Sequence, residues 1–400
     1  MTRRAGIATA VAAIAASLLC ATAAAAPAPP IQAPAAIVVD AKDGHVLYAR
    51  GPDQRRAIAS TTKLMTALLV LERARPGEVF TAPAYDAAPA ESRIDLVAGE
   101  RMTVADLLEA LLLESANDAA VTLARGVSGS TASFVAAMNR RAQALGLADT
   151  SYANPIGLDE RGGYSTARDL ADLAARLMRK RRFARIVDTP AAQLSSGARP
   201  RLVENRNLLI ARYPFVTGVK TGHTLRAGYV LVGAAGTPRT GRVVSVVLGE
   251  PSEAARDADT LALLRWGLTR FRRVEPLRRA RPVAEAGIEH RDEKAALVPR
   301  RAVALTVRAG QRVRRRVSAP DELEGPLSAG TRVSSVSVLV DGREVRRVPL
   351  VTSSDVPGAG TVRVVVSALG VPLTLLLLSA ILLAAALTVL RLRVRLRLVR

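Results

Sequence analysis

Ser60 and Lys63 stand three residues apart in Ile58-Ala59-Ser60-Thr61-Thr62-Lys63, just ahead of the apolar run Leu64 to Leu71. The stretch Ile58 to Leu71 predicts a helix, and positions i and i+3 share one helix face. A lysine amine on that face reaches the serine hydroxyl and can act as its base. That is the minimum equipment for a serine nucleophile that works without histidine. Alone the pair is a weak signal, because 22 serines and five lysines in 400 residues give roughly 0.3 such matches by chance. Two further motifs follow in order. Ser115-Ala116-Asn117 comes after the apolar run Leu107 to Leu113, and Lys220-Thr221-Gly222 comes after Thr217-Gly218-Val219. The chain carries 52 arginines against five lysines, and a chance Lys-Thr-Gly has an expectation of about 0.02. Two of those few lysines fall where a titratable amine is useful and an always-charged guanidinium cannot serve as base.

The ordered series Ser-x-x-Lys, Ser-x-Asn, Lys-Thr-Gly marks penicillin-binding proteins and class A β-lactamases. The flanks narrow it. They are Ile58 to Thr66, Leu113-Glu114-Ser115-Ala116-Asn117-Asp118-Ala119, Tyr164-Ser165-Thr166-Ala167-Arg168-Asp169-Leu170, and Gly218-Val219-Lys220-Thr221-Gly222-His223-Thr224 continuing to Ala227-Gly228-Tyr229. From near Pro34 to near Phe271 the chain resembles the low-molecular-mass D-alanyl-D-alanine carboxypeptidases, serine peptidases of family S11. Ala116 stands where that family more usually has glycine, and the C-terminal part matches only loosely.

The resemblance implies an α+β, β-lactamase/transpeptidase-like catalytic domain and a role for each motif residue. Ser60 attacks the terminal D-Ala-D-Ala bond of a peptidoglycan stem peptide, and an acyl-enzyme forms that water hydrolyses. Lys63 removes the serine proton, and Ser115 relays a proton to the leaving amine. Asn117 bonds the substrate's peptide carbonyl, while Lys220 and Thr221 bind its carboxylate. Gly222 lets the substrate backbone approach closely. The N–H groups of Ser60 and His223 form an oxyanion hole, and Arg256 matches a family arginine near the carboxylate. β-Lactam antibiotics are expected to acylate Ser60. A free lysine of pKa about 10.4 is neutral less than about one time in a thousand at pH 7. Burial and a second cation must therefore lower Lys63, and Lys220 is the candidate.

Bland readings exist for the same residues. Ser60 could cap a helix and Lys63 could be a solvated charge, although a first-turn lysine opposes the helix dipole. Ser115 and Asn117 could be caps between helices, and Arg256 a surface helix charge. With three histidines, none in a Gly-x-Ser-x-Gly or metal-spaced setting, neither a Ser-His-Asp triad nor a metal site is supported, and no cofactor is expected. Three rival functions remain on the same motifs: a D,D-endopeptidase, a β-lactamase-like hydrolase, and a non-catalytic wall-binding protein. The last has no need of Lys63.

The elements that must position these residues read as helices over Ser60 to Leu71, Thr103 to Leu113, Asp118 to Arg125, Thr131 to Leu145 and Thr166 to Arg182. Thr103 with Asp106 three residues on is a capping-box-like start. Strands are expected at Ala36 to Asp40 and Gly44 to Tyr48 around an Asp43-Gly44 turn, then at Val216 to Lys220, Gly228 to Ala234 and Arg242 to Leu248. A closing helix is expected from Ser252 to about Arg270. Strands at both ends with helices between them imply an antiparallel sheet completed by distant segments.

Outside residues 36–273, the catalytic domain, the chain reads in pieces. Residues 1–26 show the charged, apolar and small-residue regions of a signal peptide, whose loss removes Cys20, the sole cysteine. Residues 27–35 are an alanine-proline linker. Short alternating runs over 281–351 suggest a small C-terminal all-β domain, and 352–363 a second linker. Residues 364–390 carry no charge and suffice for one C-terminal transmembrane helix. The basic tail 391–400 is cytoplasmic by the positive-inside rule, which leaves the catalytic domain extracytoplasmic. The formal net charge of +22 invites a nucleic-acid reading, but export and 3% aromatic residues argue against one. Attraction to anionic lipid or wall polymers fits the basic β region better.

Overall fold

The computed structural model describes residues 27–398, so the expected signal segment with Cys20 and the last two tail residues lie outside the described residues. Strand β1 (Ala35–Asp40), buried throughout, turns into β2 (Val46–Arg50). A 3-10 turn, Ala59–Thr62, runs into helix α1 (Lys63–Arg73). Short strands β3 (Val79–Thr81) and β4 (Arg101–Thr103) pair around a long loop. Helices α2 (Val104–Glu109), α3 (Asn117–Ser128), α4 (Thr131–Leu145), α5 (Ala167–Met178) and α6 (Arg181–Val187) build a helical lobe. Hairpin β5 (Ala191–Leu194) and β6 (Arg201–Glu204) and the short α7 (Leu209–Arg212) lead back to β7 (Val216–Thr224), β8 (Gly228–Thr237) and β9 (Gly241–Glu250). Helix α8 (Glu253–Leu268) closes the unit.

The five-stranded sheet runs β2-β1-β9-β8-β7, antiparallel at every pairing. Side chains alternate across a strand, and here both faces are covered. Ala36, Val38, Leu231 and Val247 pack with Leu263 and Leu264 of α8. Ile37, Val39, Val232 and Val246 pack into the larger core with α1 and α5. Burial on two sides explains why β1 reads as a continuous apolar run rather than an alternating one. Each such Val, Ile or Leu contributes roughly 1.5–3 kcal/mol by leaving water.

Helix starts follow their caps. The hydroxyls of Thr103, Thr166 and Ser252 accept from the N–H groups of Asp106, Asp169 and Ala255, at 3.2, 3.1 and 3.1 Å, each cap worth about 1 kcal/mol. The single helix expected from Thr166 to Arg182 is two. Lys180 is extended (φ −81°, ψ 108°), which splits the run of four cations from Arg179 to Arg182 and turns Phe183, Ile186 and Val187 into the core.

Beyond α8 lie β10 (Phe271–Leu277), β11 (Ala284–Ile288), β12 (Arg291–Pro299), β13 (Val303–Arg308), β14 (Val313–Ser318), β15 (Glu322–Leu323), β16 (Arg332–Val340) and β17 (Arg343–Thr352). Six of them form a sheet ordered β14-β16-β17-β12-β11-β15 over a core that includes Leu297, Val336, Val338 and Val348. Strand β10, interrupted by Pro276 and without clear alternation, pairs with β13. Arg308 of β13 reaches back to Asp40 and Asp43 at 2.5 and 2.7 Å.

The chain ends in α9 (Thr361–Leu398), broken at Gly370 (φ 76°, ψ 157°). Proline is tolerated in a helix's first turn, so the helix restarts with Pro372 instead of bending around it. Among the described residues, Leu369–Leu392 is the one stretch long and apolar enough to cross a membrane, with mean hydropathy 2.7.

Two buried charge clusters brace this fold. Arg201 of β6 forks onto Glu100 at 2.8 and 3.0 Å and donates to the Ile94 carbonyl at 2.7 Å, tying the β3–β4 loop to the hairpin. Burial pushes the Glu100 carboxyl up, but Arg201 and the N–H groups of Ala198 and Val97 outweigh it and hold it at about 2. At the far end of β9, Asp259 of α8 accepts from the N–H groups of Gln32 and Ala33 at 2.5 and 3.1 Å. Burial, together with the neighbouring Asp259 carboxylate, raises Glu250 to about 8.

Arg201→Met should cost about 3–5 kcal/mol in denaturant unfolding at neutral pH, because it leaves the Glu100 charge buried alone. The cost should shrink as pH falls from about 4.5 to 2, where the native protein itself loses this pair. A change under about 1 kcal/mol at neutral pH would refute the brace. For Glu250 the sign is opposite. Native protein keeps a proton between about 4.5 and 8 that the unfolded chain releases, so stability falls as pH rises through that window. Glu250→Gln should therefore raise the melting temperature more at pH 8 than at pH 5; equal shifts would contradict this.

Candidate active site

Ser60 lies in the 3-10 turn, after Ala59 in a left-handed conformation (φ 45°), and Lys63 is the first residue of α1. No side chain caps this helix start, so Ser60 is not spent on the backbone. The Lys63 amine is fully buried and has three neighbours. It donates to Asn117 Oδ1 and to the Ile156 carbonyl, each at 2.6 Å, and stands 3.1 Å from Ser60 Oγ. A charged amine donates to all three. A neutral amine has two N–H bonds, and the two short contacts are to pure acceptors, so its lone pair is left facing the serine hydroxyl. Gly157 (φ 90°) lets the Ile156 loop come this near, since a Cβ there would fall 2.0 Å from the Ala59 carbonyl. Burial, then the charge of Lys220, depresses the Lys63 amine well below the ordinary lysine value against the pull of Glu91 and Asp118.

The second motif hangs from a π turn. Helix α2 widens over Ala110–Glu114, where Leu111, Leu112 and Leu113 are buried, and the chain leaves through Ser115 at φ 65°, ψ 26°. A non-glycine residue in that region costs on the order of 1–3 kcal/mol, and such strain gathers at functional sites. Ser115 is buried. Two residues on, α3 opens with Asn117, whose amide is used at both ends. Its Oδ1 accepts from Lys63, and its Nδ2 donates to Glu91 at 2.6 Å.

Strand β7 brings the third motif. Lys220 is buried, and its amine donates to the Thr221 carbonyl at 3.0 Å. A Cβ at Gly222 would stand 2.8 Å from the Ser60 nitrogen, so glycine alone allows strand and serine turn to meet here. The ring of His223 faces outward and stacks on Tyr229 at 4.0 Å. Burial lowers Lys220 to about 7, helped by Arg206 and Arg256 and opposed by Glu114.

Ser60, Lys63 and Asn117 thus meet by direct contact, Gly222 adjoins Ser60, and Lys220 joins through its charge. Arg256 stands apart. It is buried, pairs with Glu253 and Asp257 of its own helix at 2.6 and 2.8 Å, and lies over the Tyr229 ring. Two residues join the site without a motif to announce them. Arg206 pairs with Glu114 (Nε to Oε1, 3.0 Å) next to Ser115, and its charge acts on Lys220. Glu91 sits in a loop with no periodicity. Only the folded arrangement exposes either. Among the described residues, no cluster of His, Cys, Asp and Glu could hold a metal ion.

Comparison with known proteins places this geometry. The profile of a family described as D-alanyl-D-alanine carboxypeptidase matches residues 21–252, and that of the penicillin-binding protein 5 C-terminal domain matches 271–358. The chain is 30% identical over 339 residues to the D-alanyl-D-alanine carboxypeptidase DacF of Bacillus subtilis, covering 82% of this chain and 87% of that protein. It is 32% identical over 345 residues to DacA of Escherichia coli K12, covering 82% and 85%. Among solved structures, penicillin-binding protein 5 of Haemophilus influenzae superposes with a TM-score of 0.59 at 30% identity, over 83% of this chain and 99% of that one.

Lys220→Met should raise the Lys63 pKa, because it removes a cation that favours the neutral amine. The acid limb of the pH profile for acylation of Ser60 by an active ester should then move to higher pH. A limb that stays in place would mean that the two lysines do not sense one another.

Proposed function

Because the chain belongs to the D-alanyl-D-alanine carboxypeptidase family S11, we propose that it removes the terminal D-alanine from peptidoglycan stem peptides through an ester on Ser60. The observation that carries this reading is the Lys63 amine, buried, depressed in pKa and 3.1 Å from Ser60 Oγ. Neutral Lys63 takes the hydroxyl proton as Oγ attacks the carbonyl carbon of the penultimate residue. The oxyanion that forms is held by the N–H groups of Ser60 and His223. The C–N bond then breaks, and the proton reaches the departing D-alanine amine through Ser115. Water, deprotonated by Lys63, attacks the ester, and Ser60 recovers its proton.

Substrate carboxylate fits the cationic side of the cleft, where Lys220 and Thr221 adjoin Arg206; Arg256 supports that field from behind Tyr229. The Asn117 amide nitrogen is the donor toward the substrate's peptide carbonyl. β-Lactams would follow the same path as far as the ester. The carboxypeptidase names of the relatives favour this reading over the endopeptidase, β-lactamase-like and binding-only rivals. Helix α9 serves as the membrane anchor, with the enzyme body outside the cell and the basic tail inside.

Incubation with labelled penicillin should place one adduct on Ser60, and D-alanine should be released from a D-Ala-D-Ala pentapeptide. Lys63→Arg should slow acylation by about 10²-fold or more, since a guanidinium cannot take the proton. An adduct elsewhere, or penicillin breakdown without alanine release, would overturn the proposal.

A further inference from the structure

The Lys63–Asn117 contact depends on which way round the Asn117 amide sits, and Lys63 cannot decide that alone. Glu91 can. An ionised carboxylate only accepts, so at 2.6 Å from Asn117 Nδ2 it requires the NH₂ end to face it and the oxygen end to face the amine. Glu91 is itself held at both oxygens. Oε1 accepts from the Ala88 N–H at 3.0 Å, and Oε2 accepts from the Tyr85 hydroxyl. The loop beneath is pinned as well. Asn117 N–H donates to the Ser92 carbonyl at 2.8 Å, the Ile94 and Leu96 N–H groups donate to Asp118 at 3.2 and 3.0 Å, and Arg201 grips Glu100.

We propose that Glu91 is a positioning residue of the reaction: its carboxylate fixes the Asn117 amide so that the Lys63 lone pair is aimed at the Ser60 hydroxyl. With the amide reversed, an NH₂ group would confront the amine, donor against donor, and the lone pair would turn toward Asn117 and away from Ser60. The inference rests on the acyl-enzyme reading above and adds a further residue to its working parts. Tyr85 completes the chain Tyr85–Glu91–Asn117–Lys63 and keeps the carboxylate from swinging into the cleft.

A second consequence concerns charge. The Lys63 amine is faced by Lys220 from β7, Glu91 from the β3–β4 loop and Asp118 from α3. Glu91 opposes Lys220, and it is ionised. Burial raises its pKa, but the bonds from Tyr85, Asn117 and Ala88 outweigh that and hold it below the ordinary carboxylate value. Glu91 therefore limits how far Lys63 is depressed.

Position and charge separate in two variants. Glu91→Gln keeps an acceptor for Asn117 and removes the charge. Glu91→Ala removes both. The rate of Ser60 acylation by benzylpenicillin is measured against pH in the full chain held in detergent. Glu91→Gln should move the acid limb to lower pH, opposite to Lys220→Met, and keep the plateau within a few fold. Glu91→Ala should show the same limb shift with a plateau lower by about 10-fold or more, on the scale of a misplaced catalytic group. Wild-type behaviour in both variants would overturn the inference. So would a lower plateau with the limb unmoved in both, which would assign Glu91 to loop structure alone. If the unmodified protein forms no adduct at Ser60, the functional reading itself has failed; an adduct with indifferent Glu91 variants sinks only this inference.

Discussion

The proposed reaction sets one awkward requirement: an amine must be kept uncharged in the protein interior and turned toward a hydroxyl. Burial alone gives the first half. Moving a lysine out of water disfavours its charged form, and Lys220, itself buried, adds repulsion from the opposite wall. Direction needs more than burial. It comes from the two short contacts at 2.6 Å, one to a side-chain amide and one to a backbone carbonyl, which occupy the N–H bonds of the neutral amine. The lone pair then has one place to go.

Four distant parts of the chain converge to meet that requirement, and each pays in local conformation. Ala59 and Ser115 adopt left-handed backbones without being glycine. Helix α2 ends in a π turn. Gly157 and Gly222 stand where any side chain would collide with the serine turn. The antiparallel sheet makes this affordable in structural terms, because β1 and β9 knit the first and last segments of the unit together before α8 and the helical lobe cover both faces. A doubly covered sheet can hold β7 against the Ser60 turn while the intervening loops carry strain.

Much of this was legible in the sequence, and the reasons are physical. The three motifs announced themselves because lysine is so scarce here, and their flanks pointed to the family that the relatives bear out. Helices with a hydroxyl cap and an apolar face were read to within a few residues: Thr131–Leu145 matches throughout, and Thr103 caps α2 as its pairing with Asp106 suggested. Strand β10, the β5–β6 hairpin and the split at Lys180 were hidden, since short, charged segments have no periodicity and take their form from tertiary pairing. Glu91 and Arg206 were hidden for a related reason. Their significance is a matter of what stands opposite them in space, which no local spacing encodes.

The central claim is the charge on a single nitrogen, and the scarcity of lysine makes it measurable. With five lysines in the whole chain, nuclear magnetic resonance of lysine labelled with nitrogen-15 at the side-chain amine can follow each one through a pH titration, with Lys63→Arg assigning the resonance. The account predicts that the Lys63 amine in the free enzyme loses its proton well below the pH at which a free lysine does. An amine that stays protonated until pH approaches the value of a free lysine would contradict it.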